Sequence, residues 1–164
     1  MERNRQYWTD YDYSRALLEA RSFVELAAIA LRVIGRMPKP IGQVCGPIST
    51  GGHGSVEKNL AIFNATIDRL VMNCRLITNG KTVAVFDQIP FEEYLFRLVN
   101  QGRETRDNYA LLEKFYYPIF TSGHISHLYF IHGWESSHGS VWEHKLGREL
   151  EMKISYLPRD FVDV

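Results

Sequence analysis

Cysteine is nearly absent: Cys45 and Cys74 are the two in 164 residues. Each sits in an apolar pattern, not at a pairing or metal-ligand spacing, so a disulfide framework is excluded and both read as packed thiols of a reducing compartment. Neither sign of charge is in excess. Nineteen basic and nineteen acidic residues give a formal net charge of zero, which argues against a general nucleic-acid binder or a membrane-surface binder. Long hydrophobic runs are also lacking. The most apolar early segment, Phe23 to Ile34, is interrupted by Glu25 and Arg32 and is too short to span a bilayer. No secretion signal is recognisable, and a cytoplasmic location is the expectation. Five of the six histidines fall between His124 and His144, yet none forms an i,i+4 pair or another recognised ligand spacing. No metal and no other cofactor is therefore expected.

What is present is enough chain for an ordinary core without staples. Residues 1–13 are polar and aromatic without a clear period and read as an arm. From Ser14, the positions Leu17, Ala20, Val24, Ala27, Leu31 and Ile34 recur at helical spacing until Gly35 and the Met37-Pro38-Lys39-Pro40 stop. Together these form an N-terminal arm and helix, residues 1–40, whose stripe is covered by packing, by an oligomer contact or as a pocket lid. A homo-oligomer is the expected assembly. Residues 41–164 read as an α/β domain. Ile41 to Gly46 is its first strand, Pro47 to Gly54 a glycine-rich loop, and Ser55 opens a helix with Val56, Leu60, Phe63, Ile67, Leu70, Val71 and Cys74 on one face, closed by Asn79-Gly80. Thr82 to Phe86 is a second strand with Asp87 at its end. Helices follow from Pro90 to Gly102 and from about Arg106 to Tyr117, and Met152 to Tyr156 makes a last strand.

The stretch from Leu128 to Leu150 organises the rest. An apolar strand, Leu128 to Ile131, passes through a small-residue turn into a helix capped by Ser136 or Ser137. Helical spacing puts Gly139, Glu143, Leu146, Gly147 and Leu150 on one side, so Glu143 turns a carboxylate toward the sheet. The free N–H groups of the first turn, at Ser137 and Gly139, suit an anion. Strands alternating with helices imply right-handed crossovers and a mainly parallel sheet, a flavodoxin/Rossmann-like three-layer sandwich. Ligands then bind beyond the C-terminal strand ends. The loops after the first and third strands would open on that edge, giving phosphate candidates Gly46, Ser49, Thr50, Gly51, Gly52, Ser137 and Gly139. Trp134 could stack on a base or pack under its loop.

The spacing Ser137-x-Gly139-x-x-x-Glu143 after a strand, with Gly133 to Ser137 before it and Cys45-Gly46-Pro47-Ile48-Ser49 in the first loop, resembles the nucleoside 2-deoxyribosyltransferase-like superfamily, which includes deoxynucleoside monophosphate N-glycosidases. Asn59 or Asn64, together with Phe63, extends the likeness, which covers Ile41 to Tyr156. It implies a small-molecule nucleoside or nucleotide as partner, with Glu143 as nucleophile, Ser137 and Gly139 on the 5′-phosphate, and Ile48 and Trp134 near base and sugar. Departures accompany it. Phe115 to Ser126 contains no acid where catalytic members carry aspartates, and Gln43-Val44 stands near an expected tyrosine. Asp87 is the substitute proton donor, unless it caps a helix, with Tyr116, Tyr117 and His132 behind it. The expected activity is cleavage or transfer of an N-glycosidic bond; the alternative is a nucleotide-binding or sensing module that has lost turnover.

Overall fold

The computed structural model describes residues 2–77 and 82–163. In chain order these form a 3-10 turn at Arg5–Tyr7, a π-helical turn at Asp12–Ala16, α1 (Leu17–Glu19), α2 (Phe23–Arg36), β1 (Ile41–Cys45), α3 (Val56–Ile77), β2 (Ala84–Phe86), α4 (Ile89–Asn100), α5 (Asn108–Leu111), a second π-helical turn at Leu112–Tyr116, α6 (Tyr117–Phe120), β3 (Ile125–Phe130), a 3-10 turn at Trp134–Ser136, α7 (His138–Glu149) and β4 (Lys153–Tyr156). The Asn79-Gly80 stop expected after α3, and the side chain of Cys74, lie outside the described residues.

The chain divides into two compact units, residues 1–37 with 87–124, and residues 38–86 with 125–164. Every secondary-structure element among the described residues of the first unit is helical. The long helix expected from Ser14 breaks at residues 20–22, because the Ser22 hydroxyl accepts from the Glu25 amide while the Glu25 carboxylate accepts from the Arg21 amide. That pair of bonds, a Ser22 cap and a Glu25 carboxylate reaching back to the residue before Ser22, starts α2 afresh. Arg97 donates to the carbonyls of Leu17 and Ala20, closing the earlier turn. Of the expected stripe, Leu17, Ala20, Ala27 and Ile34 are buried and Leu31 is half-buried, but Val24, just after the break, faces outward and Phe23, Leu26, Ala30 and Val33 are buried instead. Residues 2–13, read as an arm, fold into the same unit. Trp8 is buried and its ring meets that of Phe91 at 5.3 Å. The helix expected to end near Tyr117 continues to Phe120 as α6. Pro118 lacks an N–H and crowds the carbonyl four residues back, and the wider π turn just before it relieves that conflict.

The second unit holds a four-stranded, all-parallel sheet in the order β2-β1-β3-β4. This is the α/β, flavodoxin/Rossmann-like class expected from the sequence. All five residues of β1 are buried, as a central parallel strand covered on both faces requires. Gly147 lets α7 lie against β3: a Cβ there would stand 2.4 Å from Leu128 Cδ1. No helix among the described residues is long and apolar enough to cross a membrane.

Candidate functional site

The order β2-β1-β3-β4 reverses direction between β1 and β3, so the switch point lies where these two strands end. There the two loops are joined. The Ile131 amide donates to the Cys45 carbonyl at 2.9 Å, the Gly52 amide to Ser136 Oγ at 2.9 Å and the His138 amide to Thr50 Oγ1 at 3.3 Å. Thr50 Oγ1 also reaches Ser137 Oγ at 3.5 Å. Gly51 is required at this junction: its φ is +68°, and a Cβ would fall 2.2 Å from the Ser136 carbonyl oxygen. Gly46, packed under Ile131, and Gly52, packed against Asn59 and Pro47, have no more room.

Asn59 of α3 fixes the shape of the first loop. Its Oδ1 accepts from the His53 amide, and its Nδ2 donates to the carbonyls of Ile48 and Gly51 at 3.0 and 3.1 Å. Buried to 4 % exposure, it uses three of its hydrogen-bonding positions on one turn. Of the two asparagines that the resemblance left open, Asn59 is the one that holds this loop. Ser49 is exposed and Ile48 half-buried on the same turn.

Ser137 caps α7, accepting from the Ser140 amide at 3.3 Å. Of the two donors expected to serve an anion, the Ser137 amide is used by the Trp134 carbonyl, and the His138 and Ser140 amides on either side of Gly139 are used by Thr50 and Ser137. Gly139 follows the cap in the first turn.

Glu143 lies on the inner face of α7, 6 % exposed, with Ser140, Leu146 and Gly147. Leu150, expected on the same face, falls past the helix end and is 40 % exposed. The Cys45 thiol, at the C-terminal end of β1, hydrogen-bonds to the Glu143 carboxylate. Burial, the negative charge of Glu143 and that hydrogen bond push the thiol well above the usual cysteine range. Cys45 is accordingly an inert donor rather than a nucleophile.

Trp134 stacks on His144, with ring centroids 4.3 Å apart, and lies against Phe130 and Tyr156. His144 completes that cluster with a 2.6 Å hydrogen bond to the Tyr156 hydroxyl. Asp87 belongs to the other unit. One carboxylate oxygen pairs with Arg3 at 3.0 Å and the other accepts from the Ile89 amide, while the Asp87 amide donates to Asn4. The capping role open to it in the sequence is the one it has.

Sequence reasoning did not find the cleft beside the loop junction. It measures about 650 Å³ and is bounded by Gly52 and His53, by Ile62 and Thr66 of α3, by residues 131–133 with Ser136, and by residues 157–159, 161 and 162 after β4. The guanidinium of Arg69 lies 4.9 Å from the Phe161 ring centroid and donates to the Phe161 carbonyl, tying that segment to α3. The Arg-to-Phe pair is far apart in sequence, and no motif announces it. Among the described residues no group of three or more histidine, cysteine or acidic side chains gathers as a metal site. No protein-family model, curated protein or solved structure matches this chain.

Proposed function

We propose that the sheet-bearing unit acts on the N-glycosidic bond of a nucleoside or nucleoside 5′-monophosphate, with Glu143 as nucleophile. The observation that carries this reading is a carboxylate, 6 % exposed, on the inner face of α7, nearly two turns beyond the serine cap at which the β1 and β3 loops are joined. A carboxylate held in such surroundings is poorly hydrated, and its attraction for a developing oxocarbenium ion is correspondingly strong. A Glu143 oxygen would form a bond to the anomeric carbon as the bond from that carbon to the base nitrogen breaks; the base leaves with the bonding pair and takes up a proton. Water, or a second base, then displaces the glutamate and restores the free carboxylate. Asp87, with both oxygens in use on Arg3 and the Ile89 amide, contributes to helix capping in this reading rather than to proton delivery.

A second reading, a nucleotide-binding module without turnover, is favoured by the Cys45 hydrogen bond, which gives Glu143 a structural task. The experiment that separates the two is incubation with a panel of deoxy- and ribonucleosides and their 5′-monophosphates, followed by detection of free base. Release that disappears in Glu143→Gln supports cleavage. Binding without release from any member supports the module.

A further inference from the structure

Three side chains capable of positive charge line the cleft beside the loop junction: His53, His132 and Arg159. All three are exposed at its rim. No carboxylate is among its lining residues, although acidic and basic residues are equal in number across the chain. Arg159 makes no ion pair with any described residue. The other walls are largely apolar, with Ile62 and Leu157 buried and Phe161 and Val162 half-buried. A volume of about 650 Å³ falls in the range of small-molecule sites. An apolar body with an anionic group fits this division of surfaces: the body displaces water from the aliphatic and aromatic walls, and the anion meets the guanidinium and imidazoles.

We infer that this cleft, whose lining does not include Glu143, is a ligand site of the sheet-bearing unit, and that it takes a phosphomonoester of nucleoside size with its phosphate against Arg159 and His132. The inference rests on the proposed function for the class of ligand and changes where the phosphate goes. At the N-terminus of α7 the His138 amide is engaged by Thr50 across the loop junction, and the Ser137 and Ser140 amides are engaged locally by the Trp134 carbonyl and the Ser137 hydroxyl. Beside it, Gly52 and Ser136 belong both to the junction and to the cleft, so a ligand in the cleft touches the loops without displacing those bonds. Residues 157–159, 161 and 162 form the outer wall, and the Arg69 contact to Phe161 sets its position.

The test measures thermal protection and calorimetric affinity of the full chain with deoxyadenosine and adenosine 5′-monophosphates, with the parent nucleosides and with inorganic phosphate. The monophosphates should protect, and the nucleosides should bind at least tenfold more weakly. Arg159→Ala and His132→Ala should each lower monophosphate affinity about tenfold and leave nucleoside affinity unchanged. Val162→Trp, which fills the cleft from its outer wall, should weaken both ligands. Arg159 and His132 are exposed, so their replacement leaves the fold intact and melting without ligand verifies this. Absence of protection by any monophosphate overturns the inference, as does equal affinity of wild type and Arg159→Ala. Base release from nucleoside 5′-monophosphates with a KM indifferent to Arg159→Ala and Val162→Trp removes the cleft while leaving the cleavage reading in place. Arg159-dependent binding with no base release does the reverse.

Discussion

The two units use buried polar groups in opposite ways. In the helical unit such groups close on partners within the unit. Asp12, 2 % exposed, receives Arg32 at 2.6 Å and Arg36 at 3.0 Å, and Glu104 accepts from the Phe23 amide and pairs with Lys114. In the sheet-bearing unit the polar groups collect at strand ends, where the two loops are tied and a cleft opens beside them. Helix ends expose amides and carbonyls that must be satisfied locally, so charge in an all-helical unit goes into capping and joining helices. A parallel sheet satisfies its own backbone and leaves loops free at one edge, which is where recognition can be built. Loss of a polar group should therefore unfold the first unit and disable the second.

The sharpest break of that contrast is Glu143→Gln. Base release should fall by about a thousandfold or more, with the melting temperature unchanged or raised, since glutamine still accepts from Cys45 and carries no charge to desolvate. A clear drop in melting temperature with release intact would make Glu143 scaffolding. On the helical side, Asp12→Ala should cost roughly 2–4 kcal/mol and leave ligand affinity alone, because it leaves two guanidinium groups facing an empty carboxylate position. Burial raises the Asp12 pKa, but hydrogen bonds from Arg32 and Arg36 outweigh it and hold the group below its ordinary 3.8. Its contribution is thus present above that value and lost as pH falls through the lower native one. Denaturant titrations of both proteins at pH 7 and pH 3 check the size and the sign. If Asp12→Ala instead weakened nucleotide binding at unchanged stability, the division of roles would be wrong.

Gly51→Ala tests the loop junction, since it adds a Cβ at φ +68° against the Ser136 carbonyl. It should cost about 1–3 kcal/mol and weaken monophosphate binding by more than Asp12→Ala does. Equal binding in both variants would show that the cleft does not depend on the junction.

The smallest effect concerns Glu92 of α4, the exception in the helical unit. Burial pushes its pKa up to about 7 despite a hydrogen bond from the Tyr116 hydroxyl, which itself accepts from Gln88 at 3.1 Å. One of its oxygens, Oε1, is buried without a hydrogen bond. The native state holds this proton more tightly than the unfolded chain does, so stability falls as pH rises between 4.5 and about 7. Glu92→Gln should abolish that slope, raising stability at pH 8 by on the order of 1–2 kcal/mol and leaving it unchanged at pH 4. A wild-type stability that rose through this interval would exclude the effect.

The meeting of the β1 and β3 loops was legible in the sequence, because parallel-sheet topology puts the C-terminal ends of adjacent strands on one edge. The inward turn of Glu143 was legible from helical spacing. The break before α2 was written as Ser22-x-x-Glu25 and was masked by an apolar rhythm running through it. The π turns left no trace, since one extra residue per turn does not disturb a count of apolar positions enough to register. β3 begins at Ile125, earlier than Leu128, because Ser126 and His127 interrupt its apolar run. Contacts such as Cys45 with Glu143 or Arg69 with Phe161 join distant parts of the chain, and local pattern carries no information about them.

The chain passes between the units after residues 37, 86 and 124, and this has a consequence for how the protein is made. Val44 pairs with Tyr129 in the ladder that centres the sheet, with α3, β2 and the whole of residues 87–124 between them. β1 must wait for β3 during synthesis, and residues 1–37 must wait for α4 to α6. Neither unit is completed by one continuous stretch, so refolding should be governed by closure of long loops and proceed slowly for a chain this rich in helix.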